Sequence, residues 1–215
     1  MCGIVGAATR RNVAGILLEG LQRLEYRGYD SAGLSIIDAD RQIQRLRRVG
    51  KVKALASAWQ ANPVDGQLGI SHTRWATHGK PTEDNAHPHH SSNDVAVVHN
   101  GIIENHEPLR IALEAAGYVF SSDTDTEVIA HLVHQQVASC EDFRLGVVQA
   151  LAKLKGAYAV AVIHSDYPST IMAARAGSPL VVGLGIGENF VASDPQALRP
   201  VTDRFIFLDE GEMVE

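Results

Sequence analysis

The sequence predicts a mixed α+β fold in which two stacked β-sheets are flanked by helices. Strand-like segments are grouped towards both ends of the 215-residue chain, and helical patterns occupy its middle. A parallel βαβ sheet would instead alternate strands and helices regularly, so this grouping favours stacked sheets with outer helices. No repeat, low-complexity tract or linker interrupts the sequence. We therefore expect one domain over residues 1–215.

The first half of the chain is predicted to be mainly strands. The opening run CGIVGAA is apolar with glycine punctuation, which is typical of a buried strand. Apolar residues then recur at helical spacing, with Asn12 as the expected N-cap. In order, the predicted elements are a strand over 2–8, a helix over 13–24 that Gly28 ends, strands over 34–37 and 43–49, a helix over 52–61, and strands over 68–72 and 95–99.

The second half begins with helices and ends with short strands. Between the two halves, residues 73–94 are irregular and rich in His, Pro and Asn, and irregular segments of that length in compact domains are usually functional or disordered. The predicted helices cover 104–116, 126–137 and 143–154, and β-rich runs follow at 157–163, 170–174, 179–185, 189–193 and 204–208. The run GLGIGENF precedes a strand, so it indicates a hairpin turn rather than a phosphate-binding loop.

Composition excludes several classes of function. The net charge of −6 and the pI near 5.9 argue against nucleic acid as a partner. The basic stretch over 45–53 is interpreted as a solvated face, with an anion or partner contact as the alternative. Cys2 and Cys140 cannot form a disulfide framework, which indicates a reducing compartment. No signal peptide or membrane span is evident, so no membrane association and a cytoplasmic location are expected.

The pair Met1-Cys2 suggests an activated thiol. Removal of Met1 would leave Cys2 with a free α-amine, whose ordinary pKa of about 7.7–8.0 suits a base near neutral pH. A nucleophile paired with an N-terminal amine needs no histidine for its activation. A start Met followed by Cys is not rare, so this interpretation depends on partners elsewhere in the chain.

Two motifs offer such partners. Asn100-Gly101, after the predicted strand 95–99, supplies a side-chain amide and a backbone N–H that can converge on one developing negative charge. An ordinary Asn-Gly turn is the alternative, and the pattern alone favours it. Arg74, next to another predicted strand, is suited to holding a carboxylate through two parallel bonds, with a loop salt bridge as the alternative.

Asp123 and Asp125 precede a predicted helix. Either carboxylate suits a substrate ammonium group, although both are also favourable at a helix N-terminus for structural reasons alone. A clamp for a carboxylate and a clamp for an ammonium group together describe an α-amino acid. An amide-cleaving nucleophile beside them indicates glutamine.

Six motifs carry a resemblance to a known family. In chain order they are CGIVGA, LEYRGYDSAG, HTRWATHG, NAHPH, HNGIIENH and SDTDTE. Together they resemble the glutaminase domain of the glucosamine-6-phosphate synthases, which are glutamine–fructose-6-phosphate aminotransferases and class II glutamine amidotransferases. The resemblance spans essentially all 215 residues. It implies the N-terminal nucleophile hydrolase fold, an αββα sandwich of two antiparallel sheets between helical layers.

The resemblance also implies a catalytic group. Cys2 would be the nucleophile and its freed α-amine the general base. Asn100 and Gly101 would form the oxyanion hole. Arg74 would bind the glutamine carboxylate and Asp125 its ammonium group.

Further residues are implied to contact the substrate or the nucleophile. Trp75, Thr77 and His78 would belong to a loop over glutamine, and Arg27 would lie in the segment that lines the nucleophile. No cofactor is expected.

The family also implies partners outside this chain. Sugar-isomerase domains that follow the glutaminase domain would bind fructose 6-phosphate and use the released ammonia, and they would make most of the contacts of a homodimer. A fragment without them is expected to be monomeric. The alternatives are the glutaminase domain of another class II amidotransferase, or an inactive module that binds glutamine. A metal site at His87, His89 and His90 is disfavoured, because their spacing is not that of zinc ligands and no Cys is near.

Overall fold

The chain folds as a sandwich of two facing β-sheets with helices on both outer sides. We describe it from a computed structural model, which covers residues 2–75 and 80–215. Met1, Thr77 and His78 lie outside the described residues, so the expectations placed on them stay predictions. None of the helices described is both long enough and apolar enough to cross a bilayer.

Within residues 2–75 and 80–215, twelve strands form the two sheets. In chain order they are β1 (Gly3–Ala8), β2 (Ser31–Ile37), β3 (Ile43–Val49), β4 (Leu68–Arg74), β5 (His89–Ser91), β6 (Val95–Ile103), β7 (Gly156–His164), β8 (Met172–Ala176), β9 (Val181–Leu184), β10 (Asn189–Ala192), β11 (Phe205–Phe207) and β12 (Met213–Val214). The first sheet has seven strands in the order β11-β9-β10-β1-β4-β2-β3, and the second has five in the order β12-β8-β7-β6-β5. The strands pair antiparallel in both sheets, which confirms the predicted fold class.

In the part of the chain that the structure describes, five α-helices cover the outer faces. They are α1 (Ala14–Arg23), α2 (Val52–Ala61), α3 (His106–Ala115), α4 (Asp125–Cys140) and α5 (Phe143–Leu151). Helices α1 and α2 share one buried apolar cluster with the outer side of the seven-stranded sheet. Helices α3 to α5 share another with the five-stranded sheet. Helix α1 buries one side, as its apolar stripe predicts, whereas α4 is buried on all sides from Asp125 to Val133.

Side-chain caps fix the starts of several helices. The prediction of Asn12 as the N-cap of α1 is wrong by one residue, because the N-cap is Val13, although the Asn12 carboxamide oxygen accepts the N–H of Ala14 over 2.9 Å. Thr124 accepts the N–H of Glu127 at the start of α4. The Thr124 cap fixes the first turn of α4, which Asp125 begins.

A third apolar cluster fills the space between the sheets. In a strand, successive side chains point to opposite faces, so residues of one parity share a face. Ile4 of β1, Ile70 of β4 and Val98 of β6 all belong to this inner cluster. The next even-numbered positions towards one end of these strands therefore point into the same inner space, and their side chains are polar.

Two predictions about local structure need correction. Asn100-Gly101 is not a turn after a strand, because β6 continues to Ile103 and pairs with β7 throughout, with Asn100 opposite Ala159. Residues 73–94 are not irregular throughout, since β4 extends to Arg74 and β5 lies near the end of the segment. In each case backbone pairing with a neighbouring strand decides the conformation, and local sequence does not reveal that pairing.

Candidate active site

Strand register brings the predicted catalytic residues to one end of the space between the sheets. Gly3 lies opposite Thr73 in the β1–β4 pair, so Cys2 and Arg74 follow next to each other in the same register. Asn100 is the even-numbered residue after Val98 in β6, and it faces the same space from the other sheet. Cys2 and Asn100, which are 98 positions apart in sequence, are thus in contact. They meet where the apolar core between the two sheets ends.

Cys2 is held through its thiol and its carbonyl oxygen. The Trp75 backbone N–H donates to the Cys2 Sγ over 3.1 Å. The carbonyl oxygen accepts from the side-chain amide of Asn100 over 3.2 Å and from the Arg27 guanidinium over 3.4 Å. Burial raises the pKa of the Cys2 thiol. The hydrogen bond from Trp75 and the charge of Arg74 lower this pKa, but their effect is smaller than that of burial. The thiol therefore needs a base before it can act as a nucleophile near neutral pH.

Asn100 and Gly101 line the same cavity as Cys2. An amide nitrogen carries two hydrogens, and the contact with the Cys2 carbonyl uses one of the two on Asn100 Nδ2. Gly101 has φ +135°, and a Cβ built there would lie 2.0 Å from the carbonyl oxygen of Ala157. Only glycine can therefore occupy this position without displacing β7.

Arg74 closes one side of the site. Its side chain is only 3 % exposed although it is the last residue of β4, and its Nη1 lies 3.9 Å from Asp30 Oδ1. The alternative of a loop salt bridge is thus partly realised, because Asp30 is an ion-pair partner of the same guanidinium. A buried guanidinium that also lines a cavity is nevertheless suited to a carboxylate ligand.

Of the two candidate acidic residues, the structure places Asp125 at the site. Asp125 is 4 % exposed, begins α4, and accepts the N–H of Ile103 through Oδ2 over 2.8 Å. Asp123 is bonded instead to Asn85, whose amide donates to Oδ2 and whose oxygen accepts the Asp123 N–H. Asp125 therefore has a role beyond helix capping, whereas Asp123 anchors the neighbouring segment.

Arg27 connects the nucleophile to residues that the sequence did not reveal. Its guanidinium donates to the Ser193 hydroxyl over 3.2 Å and forms a salt bridge with Asp194 over 3.2 Å. The same Ser193 oxygen accepts the N–H of Ile4, and Tyr26 donates to Asp194. Ser193 and Asp194 follow β10, the neighbour of β1. No motif identifies them, since their role depends on strand order that becomes evident only in the fold.

One cavity of about 470 Å³ unites these residues. Its lining comprises Cys2, Arg27, His72, Arg74, Trp75, His87, His99, Asn100, Gly101, Ile102, Thr124, Asp125, Thr126, Ser178 and Pro179. Trp75 is 55 % exposed at its edge, and its ring covers Gly28, where a Cβ would lie 2.4 Å from the indole. The volume suits a ligand of amino-acid size. The cavity lining includes groups of opposite charge, the guanidinium of Arg74 and the carboxylate of Asp125. Together they can bind the carboxylate and the ammonium group of a zwitterion.

A cluster of buried histidines was not assigned a role from the sequence, and His72 and His87 of this cluster line the cavity. His72 and His87 stack with ring centroids 4.1 Å apart, and His87 packs edge-on against His89. Burial lowers the pKa of His72 to about 3 and that of His87 well below its ordinary value. Within residues 2–75 and 80–215, no three His, Cys, Asp or Glu side chains are arranged to hold a metal ion.

The comparisons with known proteins agree with this geometry. Residues 72–200 match the family model described as glutamine amidotransferase domain. The chain is 62% identical over all 215 residues to glutamine–fructose-6-phosphate aminotransferase [isomerizing] from Pseudomonas aeruginosa. It is 61% identical to the protein of that name from Escherichia coli O6:H1. The chain spans about a third of the length of these relatives, 35% in each case.

Solved structures support the same conclusion. Glutamine phosphoribosylpyrophosphate amidotransferase from B. subtilis superposes with a TM-score of 0.84 at 28% identity, covering 99% of this chain and 46% of that one. A glutamine aminotransferase class-II domain protein from Silicibacter pomeroyi superposes with a TM-score of 0.64 at 16% identity, covering 99% and 93%, and shows the shared fold. The expected N-terminal nucleophile hydrolase sandwich is thereby confirmed. With the family model matching more than half of its length, the chain belongs to the glutamine amidotransferase domain family.

Proposed function

We propose that this domain hydrolyses the side-chain amide of L-glutamine to glutamate and ammonia, with Cys2 as the nucleophile. The observation that carries the proposal is the meeting of four chemically distinct groups at one cavity. These are the Cys2 thiol, the Asn100 amide, the Arg74 guanidinium and the Asp125 carboxylate. A thiol beside a donor for negative charge suits acyl transfer, and the two opposite charges suit the backbone groups of an amino acid.

The first half of the reaction forms a thioester. With Met1 removed, the α-amine of Cys2 takes the thiol proton, which the raised pKa of the buried thiol makes necessary. The sulfur attacks the amide carbon of glutamine, and the carbonyl oxygen becomes an oxyanion. The Asn100 side-chain amide and the Gly101 N–H stabilise that charge. Collapse of the intermediate expels ammonia, which receives its proton from the amine.

The second half consumes water. A water molecule gives a proton to the α-amine and attacks the thioester carbon, and the same donors stabilise the second oxyanion. The carbon–sulfur bond then breaks, which releases glutamate and regenerates the Cys2 thiol. Arg74 and Asp125 hold the amino acid throughout both steps, so its side chain reaches the sulfur in one orientation.

For the whole protein we propose the activity named for its relatives, with the ammonia used to convert fructose 6-phosphate to glucosamine 6-phosphate. Identity of 62% over the full chain supports this choice over another class II amidotransferase. The sugar would bind in additional domains, which would also form a homodimer, while the domain alone would be monomeric. We also propose a reducing, cytoplasmic location, because Cys2 and Cys140 are both free thiols.

The proposal is tested by incubating the purified domain with glutamine and measuring glutamate, with intact mass reporting whether Met1 is present. Turnover in the Met1-free protein, and none on asparagine, is expected. A Met1-free, folded domain that binds glutamine without hydrolysing it would favour the inactive binding module. Ammonia retention by the whole protein is tested separately, through fructose-6-phosphate-dependent formation of glucosamine 6-phosphate.

A further inference from the structure

The orientation of the Asn100 amide decides whether it stabilises or repels an oxyanion. Rotation of a carboxamide by 180° exchanges its oxygen for its nitrogen with almost no change in shape. In the described orientation, Nδ2 donates to the Cys2 carbonyl over 3.2 Å. In the reversed orientation, Oδ1 would face that carbonyl and would present negative partial charge to the developing oxyanion. Some feature of the protein must therefore fix the amide.

His72 is the residue that contacts the opposite side of this amide. Its Nε2 lies 2.9 Å from Asn100 Oδ1, and the side chain is 1 % exposed. The His72 ring is stacked on His87 with an interplanar angle of 13°. His87 is fixed in turn, because its Nδ1 accepts the backbone N–H of His99 over 3.3 Å. The imidazole of His72 thus has little freedom to rotate.

The protonation state of His72 decides what it offers to Asn100. Burial lowers its pKa to about 3, and the Asn100 bond and the His99 backbone, which favour a proton, do not offset this. The ring is therefore neutral near pH 7 and carries one proton. An amide oxygen only accepts hydrogen bonds, so a proton on Nε2 satisfies the contact, whereas a proton on Nδ1 would set two acceptors against each other.

We infer that His72, as the neutral imidazole protonated on Nε2, is a positioning residue that holds the Asn100 amide with its nitrogen towards the nucleophile. The inference rests on the proposed glutaminase function. His72 acts through Asn100 and takes no part in proton transfer. The reaction therefore requires residue 72 to place a hydrogen-bond donor at the position of Nε2, where it contacts Asn100 Oδ1.

Two substitutions of similar polarity separate this role from a structural one. In His72→Gln the side-chain amide nitrogen takes the position of Nε2, whereas the shorter side chain in His72→Asn places its amide near Nδ1 and leaves Asn100 without a donor. We expect His72→Asn to lower kcat about 10- to 100-fold with KM for glutamine nearly unchanged, because removal of one oxyanion donor has an effect of that order. His72→Gln should retain kcat within about threefold, since its donor is kept.

A background that lacks the amide gives the sharper result. In Asn100→Ala, which has no amide to position, His72→Asn should change kcat by less than about twofold. An equal loss of kcat in both backgrounds would overturn the inference, as would a wild-type kcat in His72→Asn. Thermal unfolding of each variant is measured in parallel. The readout is the coupling between the two positions, which a general loss of packing would not produce.

A measurement without turnover tests the same point. Long-range ¹H–¹⁵N spectra of the labelled wild-type domain report which ring nitrogen of each histidine is protonated. A protonated Nε2 and a bare Nδ1 on His72 at pH 7 are expected. A proton on Nδ1, or on both nitrogens, would refute the inference even if the domain hydrolyses glutamine. Absent turnover with Nε2 protonated would instead refute the proposed function. The spectra also decide the matter if His72→Asn does not fold.

Discussion

Asn100 donates from its side-chain amide to the backbone carbonyl of Cys2 over 3.2 Å, so the proposed oxyanion donor is bonded to the residue that bears the nucleophile. Cys2 directly precedes strand β1 of the seven-stranded sheet, and Asn100 lies in strand β6 of the five-stranded sheet. Their contact therefore connects the two sheets beside the cavity. Rigid elements that hold catalytic groups on both sides limit the motion that would otherwise misplace them.

Cys2→Ala should abolish glutamine hydrolysis while leaving glutamine binding within about threefold of wild type. The substitution removes only the sulfur, and the proposed clamp of Arg74 and Asp125 persists. Glutamate release and isothermal titration calorimetry measure the two properties. Loss of binding in this variant would show that the clamp is wrongly assigned.

A glycine inserted between Met1 and Cys2 should nearly abolish turnover. Removal of Met1 then exposes the glycine amine, and the Cys2 nitrogen stays in a peptide bond, unable to act as a base. Loss of a general base typically lowers rates about 10²- to 10⁴-fold. Intact mass verifies processing, and iodoacetamide labelling verifies that the thiol is present. Wild-type turnover would exclude the α-amine as the base.

Arg74→Lys should raise KM for glutamine at least about tenfold with a smaller effect on kcat. A lysine ammonium group cannot offer the planar, two-pronged contact that a guanidinium makes with a carboxylate. Arg48→Lys is the matched control, since Arg48 pairs with Glu83 at the surface, remote from the cavity lining. Equal KM values for the two variants would contradict the carboxylate role of Arg74.

Gly101→Ala should destabilise the domain and reduce kcat together. The added Cβ would lie 2.0 Å from the Ala157 carbonyl oxygen, and φ of +135° is itself unfavourable for alanine. Gly117→Ala is the control, because Gly117 also has positive φ (+92°) but no atom within 4 Å of its built Cβ. The free energy of unfolding, from urea titration, should fall by about 2 kcal/mol more in Gly101→Ala. Equal losses of unfolding free energy in the two variants would contradict the prediction, because strand β7 would then accommodate the added Cβ without cost.

Stability should decrease as the pH falls below about 6. Burial lowers the pKa of His72 and of His90 to about 3, whereas in the unfolded chain both protonate near 6.5. Between these values the unfolded state binds more protons, so each histidine contributes about 1.4 kcal/mol of lost stability per pH unit. Urea midpoints at pH 7.5 and 5 measure the effect. His90→Gln should flatten the dependence, and identical midpoints in wild type would refute the prediction.

Much of this fold was predictable because its local signals are strong. The bounds of helix α2, Val52–Ala61, agree with the prediction, since an apolar stripe and Asn62-Pro63 define them. By contrast, the extension of β6 through Asn100-Gly101 depends on pairing with β7, more than fifty residues further along the chain. Local sequence favours a turn there, and tertiary pairing overrides that preference.

The site residues likewise divide into those that motifs predict and those that only the fold reveals. Cys2, Arg74, Asn100 and Asp125 were predicted through motifs, and the cavity brings them together. Asp194 and the positioning residue His72 were missed. Neither touches the reacting atoms, and each becomes meaningful only once the fold shows which residue it supports. Their residue type alone does not indicate such a role, because their chemistry is that of any buried ion pair or buried histidine, even for His72, which begins the motif HTRWATHG.

The way in which Cys2 is held has a consequence for how the domain matures. The bonds described for this residue run through its sulfur and its carbonyl oxygen, to Trp75, Asn100 and Arg27. Cleavage of the peptide bond on the other side of Cys2 breaks none of them. In the proposed mechanism, removal of Met1 therefore exposes the base while these bonds are kept, so activation requires no refolding.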